Sequence, residues 1–202
     1  MRIYTLIFYF IILVGITGRI YLAISLPLWH DEAYSIWASQ ESFTRILSGA
    51  TDPVHPPGYY LFLKLWSLVS EHLLWLRLSS ILFAIANIYI LSILAKKHMK
   101  DSMAPALSIA AYMLSGYFII FDWQVRMYTG LTTFILFSFM LFLSLRKKSH
   151  TKNLMLFTIL NTIGLYFDYG FLWYYLPLVL ISIWILGTKK SAEAMLIVSS
   201  LL

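Results

Sequence analysis

Residues 58–70 read Gly-Tyr-Tyr-Leu-Phe-Leu-Lys-Leu-Trp-Ser-Leu-Val-Ser, and the placement of this stretch decides how everything after it is arranged. It is apolar and aromatic enough to touch lipid. As a helix, however, it reaches only about 20 Å at 1.5 Å per residue, short of the roughly 30 Å of a hydrocarbon core. If it crossed, every later cluster of charge would change sides. The segment is therefore read as a helix lying in or dipping into the outer interface, anchored by Tyr59, Tyr60, Lys64 and Trp66.

The chain around it is that of a membrane protein. Of its 202 residues 60% are hydrophobic, 17% aromatic and only 12% charged, with a mean hydropathy of +0.79. A soluble domain carries about 25% charged residues, so no single soluble core would hide this much apolar surface. Disorder, a nucleic-acid-binding domain and a disulfide-stapled fold are excluded by the same figures. The absence of cysteine removes thiol chemistry, Cys-based zinc sites and iron–sulfur clusters.

Long apolar segments run over 4–26, 78–95, 104–121, 128–145, 154–167 and 171–186, and a seventh begins at Ala192 and stops with the chain. The expected fold is thus an all-α membrane bundle of about seven spans, one module over 1–202, with the C-terminus read as a cut through a helix. Arg2 precedes an apolar run too long for a cleaved leader, with no small-residue cleavage site behind it. Lys96, Lys97 and Lys100 form one basic group, Arg146, Lys147, Lys148 and Lys152 a second, and Lys189 and Lys190 a third. By the positive-inside rule these groups and the N-terminus lie in the cytoplasm, at the inner or plasma membrane. Residues 27–77 then form a long external loop, and long loops on a compact scaffold carry function. Seven of the nine acids fall on that outer side, so the net charge of +6 is a topology signal rather than a nucleic-acid signal.

Four short elements on the outer side carry groups capable of chemistry. The first is Leu28-Trp29-His30-Asp31-Glu32-Ala33-Tyr34, where two adjacent carboxylates sit at a membrane boundary. Low dielectric there raises a carboxylate's pKa and makes it a usable base; alternatively Asp31 caps a short helix over 32–40. The second is Asp52-Pro53-Val54-His55-Pro56-Pro57-Gly58-Tyr59-Tyr60, either a stiff turn or a site-shaping loop that presents His55. The third is Phe121-Asp122-Trp123-Gln124-Val125-Arg126-Met127-Tyr128, whose arginine either snorkels to lipid phosphate or binds a phosphate ester bidentately. The fourth is the turn Tyr166-Phe167-Asp168-Tyr169-Gly170.

In order and spacing, Leu28–Tyr34, then His55-Pro56-Pro57-Gly58-Tyr59-Tyr60-Leu61, then Arg126-Met127-Tyr128 resemble the polyprenyl-phosphate-sugar-dependent glycosyltransferases of the GT-C superfamily. Protein O-mannosyltransferases and lipid A aminoarabinose transferases belong to that superfamily, and the resemblance covers about 28–175. It implies that Asp31 is the base acting on the acceptor and that Glu32 supports it. It further implies that Arg126, with Arg77 or Lys64, binds the donor phosphate. His55, Tyr59, Asp122, Gln124, Tyr128 and Asp168 would shape the site or the acceptor pocket. The implied partners are a polyprenyl-phosphate-linked sugar, the bilayer and an unspecified acceptor. Relatives carry an acid where this chain has Gln124 and often a histidine where it has Asp168, and Asp122 is the substitute acid nearest to hand. No cofactor is expected: a divalent cation has acids and a histidine near it in Asp31, His55 and Asp122, but their spacing fits no specific site. Two other classes compete, a transporter or flippase for a lipid-linked substrate and a non-catalytic subunit on the same scaffold. Ionisable residues at mid-membrane mark transporters, and here only Arg19 lies clearly inside a span.

Overall fold

The computed structural model describes residues 2–101, 103–147 and 151–186. Among these the regular structure is entirely helical. In chain order the helices are α1 (Arg2–Ser25), α2 (His30–Gln40), α3 (Phe43–Leu47), α4 (Gly58–Ser67), α5 (Leu73–His98), α6 (Ala104–Leu114), α7 (Gly116–Phe121), α8 (Tyr128–Lys147), α9 (Thr151–Phe167) and α10 (Phe171–Leu186).

Three of them, within 8–25, 73–98 and 128–145, are long and apolar enough to cross a membrane. That is fewer than the seven read from the sequence. The apolar run over 104–121 is not one helix: Ser115 is extended (φ −66°, ψ 124°) and divides it into α6 and α7. Ser115 and Gly116 are both poor helix formers, which is why the run breaks there. Helices α9 and α10 are apolar but shorter. The seventh run from Ala192, and Lys148, Lys189 and Lys190, lie outside the described residues.

The helices pack α5 on α6, α5 on α8 and α8 on α9, with α1 against α5 and α6. Helices α5 and α8 start side by side, Ser80 reaching the Gln124 carbonyl and Asn87 that of Thr129, and α6 and α7 run back between them. Alternation of direction brings Lys96 and Lys97, in the last turn of α5, to one end of the bundle. Helices α2 to α4 and the turns at 122–127 and 168–170 gather at the other. Basic side chains in a last turn also suit the negative end of the helix dipole.

Helix α4 spans 58–67, three residues shorter than expected. It lies over the bundle end, burying Tyr59, Tyr60 and Leu63 against Leu76, Val125, Met127 and Phe167. Gly58 makes that docking possible: a Cβ there would stand 2.3 Å from the Tyr166 carbonyl oxygen at the end of α9. Trp66 and Trp75 join α4 to α5, each indole N–H donating to the other's carbonyl (2.9 and 3.0 Å), with rings stacked 4.6 Å apart. Lys64 crosses to the end of α2 and donates to the Glu41 carbonyl (2.8 Å) and, more weakly, to that of Ser39 (3.3 Å). It thereby satisfies carbonyls that a helix end leaves open.

Candidate active site

Three buried arginines organise the two halves of the charged region, and their hydrogen bonding differs in kind. Arg77, in the first turns of α5, has no exposed surface. Its Nε donates to Glu32 Oε1 (2.9 Å) and its Nη2 to Glu32 Oε2 (2.6 Å). The remaining N–H groups go to the carbonyls of Ala23, Leu26 and Pro27 (2.7, 2.9 and 2.9 Å), the frayed end of α1. All five donors of the guanidinium fork are used. Glu32 is equally committed, accepting also from the backbone N–H groups of Trp29 (3.1 Å) and Val125 (2.9 Å). Its bond to Trp29 is the side-chain half of a capping box that starts α2, so the helix is capped at Trp29 and not at Asp31.

Arg19, in α1, pairs with Asp122 (Nε to Oδ2, 2.7 Å) and donates from Nη1 to the Gly15 carbonyl (3.1 Å). Asp122 accepts further from Tyr112 (2.9 Å) and Thr129 (3.2 Å). Nη2 of Arg19 has no partner.

Arg126 is the exception among the described arginines that are buried: it makes no ion pair. Only 6% exposed, it donates to the Ser35 hydroxyl (3.1 Å), at longer range to the Asp31 carbonyl and the Tyr128 hydroxyl (3.4 Å each), and its Nε is unpartnered. The Tyr128 ring stands 5.5 Å from the guanidinium carbon. A desolvated guanidinium without a counter-charge is unfavourable, and an entering anion relieves it.

Around Arg126 the chain converges from four elements. Asp31, in the first turn of α2, exposes its carboxylate, and its charge acts on Arg126. Asp168, on the turn between α9 and α10, feels both Arg126 and His55. Burial pushes the Asp168 carboxyl up, against the bond it accepts from the Gly170 N–H. From the 52–60 loop, the buried Asp52 carboxylate accepts from the Val54 and His55 N–H groups (2.8 and 3.2 Å), from His55 Nδ1 (2.9 Å) and from the Tyr60 hydroxyl (2.5 Å). Burial alone would raise the Asp52 carboxyl; the bonds from Tyr60, Val54 and His55 outweigh it and hold the group below the usual range. Burial and Asp52 together push the Tyr60 phenol up. With Nδ1 held by a carboxylate, Nε2 of His55 has no hydrogen-bond partner among the described residues, and the side chain is 29% exposed. A carboxylate that fixes a histidine tautomer in this way is the orienting half of a general-base pair.

The structure thus places Asp31, His55, Tyr128 and Asp168 around Arg126. Glu32, Arg77, Lys64 and Asp122 stand elsewhere, with every charged atom directed at protein partners. Arg77 and Lys64 hold helix ends: the Arg77 fork is fully used, and the Lys64 ammonium donates to backbone carbonyls at the end of α2, so neither is directed at a phosphate site. Asp122 turns toward α1 and does not replace the acid absent at Gln124, which is itself buried, its carbonyl accepting from Ser80. Tyr59 is buried in the α4 core against Phe167 (ring centroids 5.4 Å apart). Asp52, Tyr34, Ser35 and Tyr60 stand in the same cluster and were missed as site residues: Ser35 accepts from Arg126, and Asp52 holds His55 and Tyr60. The Asp-x-x-His spacing at 52–55 was the available signal. Among the described residues, no group of three or more acids and histidines has the geometry to hold a metal ion, and Asp122 does not converge on Asp31 and His55.

Over the described residues the chain is all-helical, with three helices long and apolar enough to cross a membrane and a cluster of polar and charged side chains around Arg126 at one end of the bundle. The chain matches no protein-family model, and neither the curated proteins nor the solved structures contain a match to it.

Proposed function

We propose that this chain is a membrane glycosyltransferase that moves a sugar from a polyprenyl-phosphate donor to an acceptor on the outer face of the cell membrane. The observation that carries the reading is Arg126: a buried cation without a carboxylate partner, with open N–H groups, beside the free carboxylate of Asp31. Arg126 receives the donor phosphate, a geometry guanidinium suits. Asp31 takes the proton from the acceptor hydroxyl, whose oxygen attacks the anomeric carbon in line. The bond from that carbon to the phosphate oxygen breaks, and polyprenyl phosphate leaves with inversion. Lipid phosphate is a good leaving group, so positioning and charge stabilisation are the protein's main contributions.

The accompanying topology has the N-terminus in the cytoplasm, residues 27–77 outside, α6 and α7 together as one broken span, and about seven spans in all. The gathering of Lys96 and Lys97 at one bundle end and of the Arg126 cluster at the other supports it.

A second reading of the base rests on a separate observation. Asp52 orients His55, whereas no side chain orients Asp31, so His55 Nε2 is the alternative proton acceptor. Purified protein given a synthetic polyprenyl-phosphate sugar should release polyprenyl phosphate. Arg126→Gln should weaken donor binding about 10- to 100-fold, the worth of a charged hydrogen bond. Donor affinity unchanged in that variant would return Arg126 to snorkelling. Full turnover in Asp31→Asn with loss in His55→Gln would move the base to His55. Donor transported across vesicles without release would favour a flippase, and donor bound with neither outcome a non-catalytic subunit.

A further inference from the structure

Away from the Arg126 cluster, an apolar groove of about 390 Å³ runs along α1 where it meets the α6–α7 break. Phe10, Val14, Gly18, Leu114 and Ile119 line it, with Arg19 in the wall toward its Leu22 end. Several of these walls are bare: Phe10 is 65% and Leu114 70% exposed. The exception is Arg19, which is 2% exposed and has an Nη2 with no hydrogen-bond partner.

We infer that this groove is an ordered site for one acyl chain of a diacyl glycerophospholipid, with an ester carbonyl accepting from Arg19 Nη2. Three features select that occupant over an isoprenoid phosphate. Asp122 already neutralises Arg19 at 2.7 Å, so the pair carries no net charge to attract a phosphate, and its spare N–H suits a neutral oxygen. From Arg19 the groove runs down to Phe10, nine residues or about 13.5 Å of helix, close to the roughly 15 Å depth of one leaflet. Arg19 stands six residues before the end of α1, about 9 Å below it, a depth at which the glycerol esters of a tilted or slightly sunken lipid meet the chains. Met113, an unbranched side chain in the wall, is the part that yields as the carbonyl reaches the guanidinium. The inference rests on α1 crossing the membrane and not on the transferase reading.

Gly18 gives the means to test it. A Cβ there meets nothing within 4 Å, so Gly18→Leu has open space from which to project an apolar side chain into the groove. The full chain would be reconstituted in nanodiscs containing a diacyl phosphatidylcholine with a photoreactive group in one chain, and cross-links mapped by mass spectrometry. Cross-links concentrated on Phe10, Val14 and Leu114, and lost in Gly18→Leu, are the expected result. Replacing the diacyl probe by its ether-linked counterpart removes the carbonyl and should lower the yield about 2- to 10-fold, the worth of one hydrogen bond. Labels spread evenly over lipid-facing residues such as Tyr21 and Leu180, in both proteins, would overturn the site. Equal retention of ester and ether probes would overturn the Arg19 contact. Displacement of the probe by stoichiometric polyprenyl phosphate would overturn the choice of occupant.

Discussion

Asp31 and Glu32 are consecutive residues of one helix turn, yet their surroundings are opposites. Glu32 has no exposed surface and accepts four hydrogen bonds, two of them from an arginine whose own five donors are all engaged. Asp31 is exposed, has no side-chain partner, and faces an arginine that lacks a counter-ion. Saturation separates the two. A charge whose every valence is filled by protein fixes the positions of helices, whereas a charge with unfilled valence can act on a ligand. The adjacent pair is therefore one scaffold acid and one candidate reactive acid, and the same division runs between Arg77 and Arg126.

The contrast can be broken in graded steps. Glu32→Gln strands the Arg77 guanidinium in a dry site, and removing one partner of a buried pair costs about 3–5 kcal/mol. Thermal unfolding in detergent should show that loss, and a near-neutral result would mean that Glu32 is not the scaffold acid. Asp31→Asn should leave the unfolding midpoint in place and reduce release of polyprenyl phosphate about 10²- to 10⁴-fold, the range for loss of a general base. If Asn at 31 destabilised the fold as Gln at 32 does, the division itself would fail. Gly58→Ala attacks the frame that holds the two apart. Its Cβ meets the Tyr166 backbone, and overpacking of this kind costs about 1–3 kcal/mol, read as a lower midpoint and a release of α4 from α9 to proteolysis.

The smallest effect concerns acid. The native Asp52 carboxyl lies below its ordinary value. Its stabilising contribution is therefore complete above about pH 4 and is lost as the pH falls through the lower native value. Asp52→Asn should flatten that acid limb of a stability-against-pH curve while leaving the neutral region nearly parallel. An unchanged limb would detach Asp52 from the His55 and Tyr60 network.

How much of this the sequence disclosed depends on the range of the interaction. Apolar runs placed α1, α5, α8, α9 and α10, because lipid exposure imposes hydrophobicity on every turn of a helix. The break at Ser115 was visible as Ser-Gly inside an apolar run, but hydropathy averages over such a pair. Local motifs identified Asp31, His55, Arg126, Tyr128 and Asp168 as candidates, and the fold brings them together. Roles that depend on a distant partner were out of reach. Arg77 reads as a boundary cation until the α1 carbonyls and Glu32 are seen around it, and Arg19 until Asp122, 103 positions later, is found against it. Composition counts charges; it does not say which are already spoken for.

That spacing has a consequence for how the chain is made. Every acceptor of Arg77 lies between Ala23 and Glu32, so all of them already exist when the ribosome reaches residue 77. This corner can close as soon as α5 inserts, before the second half of the bundle is synthesised. Arg19 has no such provision and waits for Asp122, which arrives only after α6 and α7. Until then the charge on α1 is uncompensated, and the early helices depend on a later turn to neutralise it.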